Sequence, residues 1–167
     1  MQSQSSFKAP WGTLLILVTS FASLLLVVAP LIVTIVNPER EAILSVAICL
    51  PVLILIGAMF FMIRRYVLTG DALFVRRLFW NSKIDLSGLT TVEFNPEAMS
   101  KSIRTFGNGG LFAICGFFRN KTLGSYRAFA TDPKKSVVLK FPGKVIVVTP
   151  DRPEEFVGKI KSFKNLG

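Results

Sequence analysis

Residues 102–132, SIRTFGNGGLFAICGFFRNKTLGSYRAFATD, set glycines and two basic clusters around a run of large apolar side chains. Such a stretch could cradle a phosphate, and spacing decides whether it does. A dinucleotide loop needs G-x-G-x-x-G, and counting from Gly107 and Gly109 the last position is Phe112. A P-loop needs a lysine directly after its final glycine, and the residue five places beyond Gly110 is Cys115, followed by Gly116 and Phe117. The segment therefore reads as turn chemistry. Asn108-Gly109-Gly110 suits a tight turn with positive φ, after which the chain re-enters as a strand.

Other reactive constellations are equally thin. There is no histidine, which removes the commonest general base and metal ligand near neutral pH. Serines and the two cysteines, Cys49 and Cys115, thus have no imidazole to activate them, and the cysteines form no C-x-x-C pair. Glu154-Glu155 reads as a helix start, and Glu39 and Glu41 read as a loop. No catalytic residue, metal ligand or cofactor is expected, and the pattern points away from an enzyme. The net charge of +10 could suit nucleic acid, but no DNA- or RNA-binding motif matches.

A membrane explains the charge more simply. Residues 12–36 and 42–63 are two apolar runs with no charged side chain, each long enough at about 1.5 Å per residue to cross a bilayer. Backbone groups in lipid must be satisfied within the segment, so both runs are expected to be helices forming a transmembrane hairpin. The connecting loop carries Arg40 alone, whereas Lys8, Arg64, Arg65, Arg76, Arg77 and Lys83 flank the other ends. This bias places both termini in the cytoplasm, with Trp11 and Tyr66 as interfacial anchors. The expected organisation is a cytoplasmic segment 1–11, a helical hairpin 12–63 and a cytoplasmic domain 64–167.

That domain is β-rich. YVLT and ALFVRRLFW flank a Gly70-Asp71 turn, TTVEF alternates, and SVVLKF and KVIVVT flank Pro142-Gly143, which suits a type II turn. With LFAICGFF and SYRAFAT the count is about seven antiparallel strands. A C-terminal helix follows, with Asp151 and Glu154 spaced as a capping box and Phe156, Ile160 and Phe163 on one face. Seven strands and a capping helix make a pleckstrin-homology-like (PH-like) architecture. YVLTGDALFVRR, the segment RTFGNGGLFAICGFFRNKTLGSYRAFATD and VIVVTPDRPEEF together resemble a bacterial family of membrane-anchored PH-like proteins. The resemblance implies a mainly-β PH-like domain behind a two-helix anchor in the bacterial cytoplasmic membrane.

The strand at 111–118 is apolar on both faces, with Leu111, Ala113, Cys115 and Phe117 on one and Phe112, Ile114 and Phe118 on the other. A half-exposed strand should alternate, so something must cover the second face: the C-terminal helix, a second protomer, the membrane helices or lipid. Arg119 and Lys121 close the strand beside Phe117 and Phe118. Either these aromatics and cations touch a membrane surface, or the turn is solvated and the phenylalanines are core. The candidate surface for lipid or partner comprises Arg64, Arg65, Arg104, Phe112, Phe117, Phe118, Arg119 and Lys121. The functional expectation is a non-enzymatic interaction or scaffold module that binds a protein partner or self-associates; the alternative is recognition of anionic lipid.

Overall fold

The computed structural model describes residues 4–36 and 41–164, with no side-chain placement for 41–44. Among the described residues the order is β1 (Ser5–Lys8), α1 (Thr13–Val36), α2 (Glu41–Met59), β2 (Ile63–Leu68), β3 (Ala72–Arg77), β4 (Asn81–Asp85), β5 (Thr91–Phe94), β6 (Ile103–Gly109), β7 (Ile114–Asn120), β8 (Gly124–Ala130), β9 (Val137–Phe141), β10 (Lys144–Val148) and α3 (Pro153–Lys164). The loop carrying Arg40 lies outside the described residues.

The strands form two sheets, a four-stranded one in the order β1-β2-β3-β4 and a six-stranded one in the order β5-β9-β10-β8-β7-β6. All pairings are antiparallel except β10 with β8. The turn signals explain the hairpins. Thr69 donates its N–H and its hydroxyl to the Ala72 carbonyl, closing β2 onto β3 around Gly70-Asp71. Gly143 takes φ +76° between β9 and β10, as the type II turn requires. Tyr66, Leu73 and Val75 of the first sheet face Val137, Leu139, Phe129 and Val148 of the second, and Phe156 and Ile160 of α3 complete this core. Its closest aromatic contact joins Phe7 of β1 edge-on to Phe156, with centroids 5.1 Å apart.

The outer face of the six-stranded sheet is also apolar and also covered. Leu15, in the first turn of α1, is fully buried against Ile114, Phe118, Ala128, Ala130, Val138 and Val147. Val137 and Leu139 thus point into the sandwich while Val138 points at α1, which is why β9 and β10 read as unbroken apolar runs. Among the alternatives open from sequence, the cover is the first apolar helix, assisted by Ala98 from the turn after β5. The Thr19 hydroxyl, one turn further along α1, donates to the Gly110 carbonyl at 3.0 Å and accepts from the Phe112 N–H at 3.1 Å. The β6–β7 connection is therefore bolted to the helix.

Several expectations are corrected. The strand expected over 111–118 begins at Ile114, because Gly110 and Phe112 adopt positive φ (146° and 62°) in the preceding turn. Asn108 shapes that turn by accepting from the N–H groups of Gly110 and Leu111. The stretch before the first helix supplies a strand, β1, whose Lys8 carbonyl accepts from the Asp151 N–H at 3.0 Å. The Asp151 carboxylate accepts from the Lys8 N–H at 3.0 Å instead of closing a capping box with Glu154. The expected hairpin of two spans is found only in part. Among the described residues α1 alone is long and apolar enough to cross a membrane, while the apolar part of α2, Ser45–Met59, is shorter. The chain expected to run on in lipid to residue 63 leaves the helix at Met59 and enters β2 at Ile63.

Candidate functional site

The site begins where α2 hands over to the first sheet. Strand alternation would send one of Arg64 and Arg65 inward, but the β2–β3 register shifts between Ile63 and Arg65, and both arginines are exposed. Register then builds a row across three strands. Lys8 of β1 lies opposite Arg65 of β2, which lies opposite Arg76 of β3, all three exposed on one face. Like charges placed directly across a sheet repel, and none of the three pairs with a carboxylate among the described residues. A cleft of about 480 Å³ opens here, lined by Arg64, Arg65 and Arg76 together with Phe79 and Trp80.

The connection between β3 and β4 holds those two aromatics against the end of α2. Trp80 donates its indole N–H to the Phe60 carbonyl at 2.9 Å, Phe79 packs on Phe60 at 4.6 Å, and Trp80 meets Phe61 edge-on at 6.0 Å. All four rings remain accessible, from 40% for Phe61 to 67% for Phe79. Aromatic rings beside arginines at the foot of an apolar helix match the preferences of a membrane–water interface.

The eight residues singled out from sequence do not form one surface. Arg64 and Arg65 join the basic row. Phe118 is only 6% exposed and stacks on Tyr126, so it belongs to the core beneath α1 and to no accessible surface. Phe112 is half-buried in the turn beside Thr19, edge-on to Trp11 at 6.1 Å. Arg104 is exposed on β6, its guanidinium beside Gly109. Phe117 is half exposed under the Arg127 guanidinium. Arg119 and Lys121 are exposed at the opposite end of β7 from Phe112, about 20 Å away at the rise of a strand. Of the two rings expected beside these cations, Phe117 is exposed and Phe118 is core.

Lys8 and Arg76 are the functional candidates that spacing missed, since their proximity to Arg65 exists only in the register of β1 on β2 and β2 on β3. Among the described residues there is no group of three or more His, Cys, Asp or Glu that could hold a metal ion. Ionisable groups of unusual character are structural. Burial pushes the Tyr66 phenol above its ordinary range, against hydrogen bonds with Thr149 that pull it back. Burial likewise raises the Cys115 thiol, with the neighbouring Arg77 opposing.

Residues 64–163 match the family model described as the bacterial PH domain. No curated protein and no solved structure matches the chain.

Proposed function

The chain belongs to the bacterial PH domain family, and from that premise we propose that it is a non-enzymatic, membrane-anchored module whose domain binds the anionic surface of its own membrane. The observation that carries this reading is the unpaired basic row Lys8–Arg65–Arg76 beside the Phe60, Phe61, Phe79 and Trp80 rings. Each cation held near an anionic leaflet contributes about 1 kcal/mol, and the rings sit well at headgroup depth. Because the domain is already tethered, this attraction orients it.

The same strands support an anchor of two spans. β1 runs into α1 and α2 runs into β2, while β1 and β2 pair antiparallel with Lys8 opposite Arg65. Both helices thus start and finish at one place on the domain, and a chain that leaves through α1 returns through α2. The excess of basic residues on that side supports a cytoplasmic placement for it.

The test uses the full chain, since a fragment starting at β2 would lack β1 and the buried Phe7. Hydrogen exchange of residues 74–82 is followed in nanodiscs of phosphatidylcholine alone and with phosphatidylglycerol added. Slower exchange with phosphatidylglycerol, abolished by Arg64→Gln, Arg65→Gln and Arg76→Gln together, is expected. Exchange that ignores both lipid charge and these substitutions would overturn the proposal.

A protein partner is favoured by a different observation. β6 is an edge strand of the larger sheet, with Ile103 and Phe106 about three-quarters exposed. An open edge with apolar side chains suits strand addition by a peptide or a second copy. Photocrosslinkers at Ile103 and Phe106 in native membranes test this, and finding lipid adducts alone would count against it.

A further inference from the structure

Arg77 ends β3 with its side chain turned into the space between the two sheets, where it is only 7% exposed. Its Nη2 donates to the Cys115 sulfur at 3.3 Å, and its Nε and Nη1 have no hydrogen-bond partner. Three rings box the guanidinium, with centroids at 4.8 Å for Trp80, 5.5 Å for Phe129 and 5.7 Å for Phe61. Ring faces offset part of a buried charge but leave N–H donors unused. Nor does the sulfur neutralise it, since burial raises the Cys115 thiol and keeps it protonated at neutral pH.

A second cation reaches the same place. The Arg127 guanidinium lies 4.8 Å from the Phe129 centroid and 5.6 Å from that of Phe117. Among the described residues neither arginine pairs with a carboxylate. Both line a cavity of about 160 Å³ walled by Phe61, Trp80, Phe106 and Phe117, which adjoins a wider groove of about 570 Å³ through Ser82, Phe117, Arg127 and Phe129.

Two guanidinium groups that pair with no carboxylate among the described residues line one aromatic-walled cavity, an arrangement suited to an oxyanion with several acceptor oxygens. We propose that this cavity binds a phosphate group through Arg77 and Arg127, supplied either as free inorganic phosphate or as the headgroup of a phospholipid. A phosphate offers several acceptor oxygens to the two guanidinium groups and supplies the counter-charge that both lack. Phe61 and Trp80 form one wall of the cavity and the foot of α2, which puts a headgroup within reach. The site shares the Phe61 and Trp80 rings with the surface described above but uses none of the cations Lys8, Arg64, Arg65 or Arg76, so substitutions at Arg77 and Arg127 test it separately.

The experiment keeps the full chain in a maltoside detergent, which carries no phosphate. Inorganic phosphate or short-chain phosphatidic acid is titrated against chloride at matched ionic strength. The thermal midpoint is read together with Trp80 fluorescence in a Trp11→Phe background. A saturable rise in midpoint with a Trp80 signal is expected from at least one probe: inorganic phosphate identifies free phosphate as the source, and a response to the lipid alone identifies the headgroup. Arg127→Gln, at an exposed position, should weaken binding by about tenfold, the value of one charged hydrogen-bonding partner. Arg77→Met should abolish binding yet hold or raise the ligand-free midpoint, because it replaces an unsatisfied buried charge with an apolar side chain. No response to either probe, or a response that survives both substitutions, would overturn the proposal. Should Arg77→Met fail to fold, Arg127→Gln still decides it.

Discussion

Tyr66 shows how one side chain joins the two sheets. Its ring is completely buried in the sandwich, its hydroxyl donates to the Phe129 carbonyl at 2.6 Å, and the Tyr66 hydroxyl oxygen accepts from the Thr149 N–H at 3.3 Å. Removing the hydroxyl leaves a buried carbonyl and a buried N–H without their partner, so Tyr66→Phe should cost about 1–3 kcal/mol. The phenol also couples stability to pH. Burial raises its folded-state ionisation above the unfolded value of about 10. Below that value the phenol is neutral in both states and the full stability is present. As pH rises past it, the unfolded chain releases the proton first and stability falls. Thermal unfolding of the full chain in detergent should therefore show a steeper loss above about pH 10 for the native protein than for Tyr66→Phe. Equal slopes would mean that the phenol ionises freely in the folded state. Tyr66 was legible only as an interfacial anchor at the end of an apolar run. Its role as a buried cross-sheet bond depends on β8 and β10, which lie more than sixty residues away.

At the scale of elements, what the sequence revealed depended on whether an element's instructions were local. β2, β3, β9, β10 and α3 carry their own turn residues or periodicity and were legible. β1 contributes one large apolar side chain, Phe7, in four residues, and it is a strand only because β2 offers it an edge. β4 and β6 are mostly exposed, so no apolar alternation marks them. The Gly107–Gly116 pair across β6 and β7 is similar: both take positive φ, and a Cβ on Gly116 would collide with the Phe106 carbonyl. The doubly apolar strands were legible as a problem, and the helix that solves it was taken for membrane from its first residue. Thr19 marks where that helix stops being part of the domain. Thr19→Val keeps the shape but leaves the Gly110 carbonyl and Phe112 N–H unpaired, a loss of about 1–3 kcal/mol confined to the turn. Hydrogen exchange should speed up at residues 110–112 by at least tenfold while β9 and β10 stay protected. Uniform acceleration across the domain would instead make this contact part of the global fold.

For the whole molecule the consequence is that anchor and domain share one structure. Gly12 donates its N–H to the Thr131 carbonyl, Leu15 lies under the sheet, and only the stretch after Thr19 is free to enter lipid. From Ser20 to Val36 a helix spans about 25 Å, close to the thickness of a hydrocarbon core. The pairing of β1 with β2 holds the strand before α1 beside the strand after α2. This yields a prediction that separates two crossings from one. In a Cys49→Ser background, Glu39→Cys lies between the helices and Lys134→Cys lies on the domain. A membrane-impermeant maleimide applied to intact spheroplasts should label Glu39→Cys and should reach Lys134→Cys only after lysis. Cys115 adds little to either signal, being buried with its thiol held protonated, and thiolates rather than thiols react with maleimide. If both positions label only after lysis, α1 does not carry the chain across. If Lys134→Cys alone labels in intact spheroplasts, the domain faces outward and the basic row meets the outer leaflet.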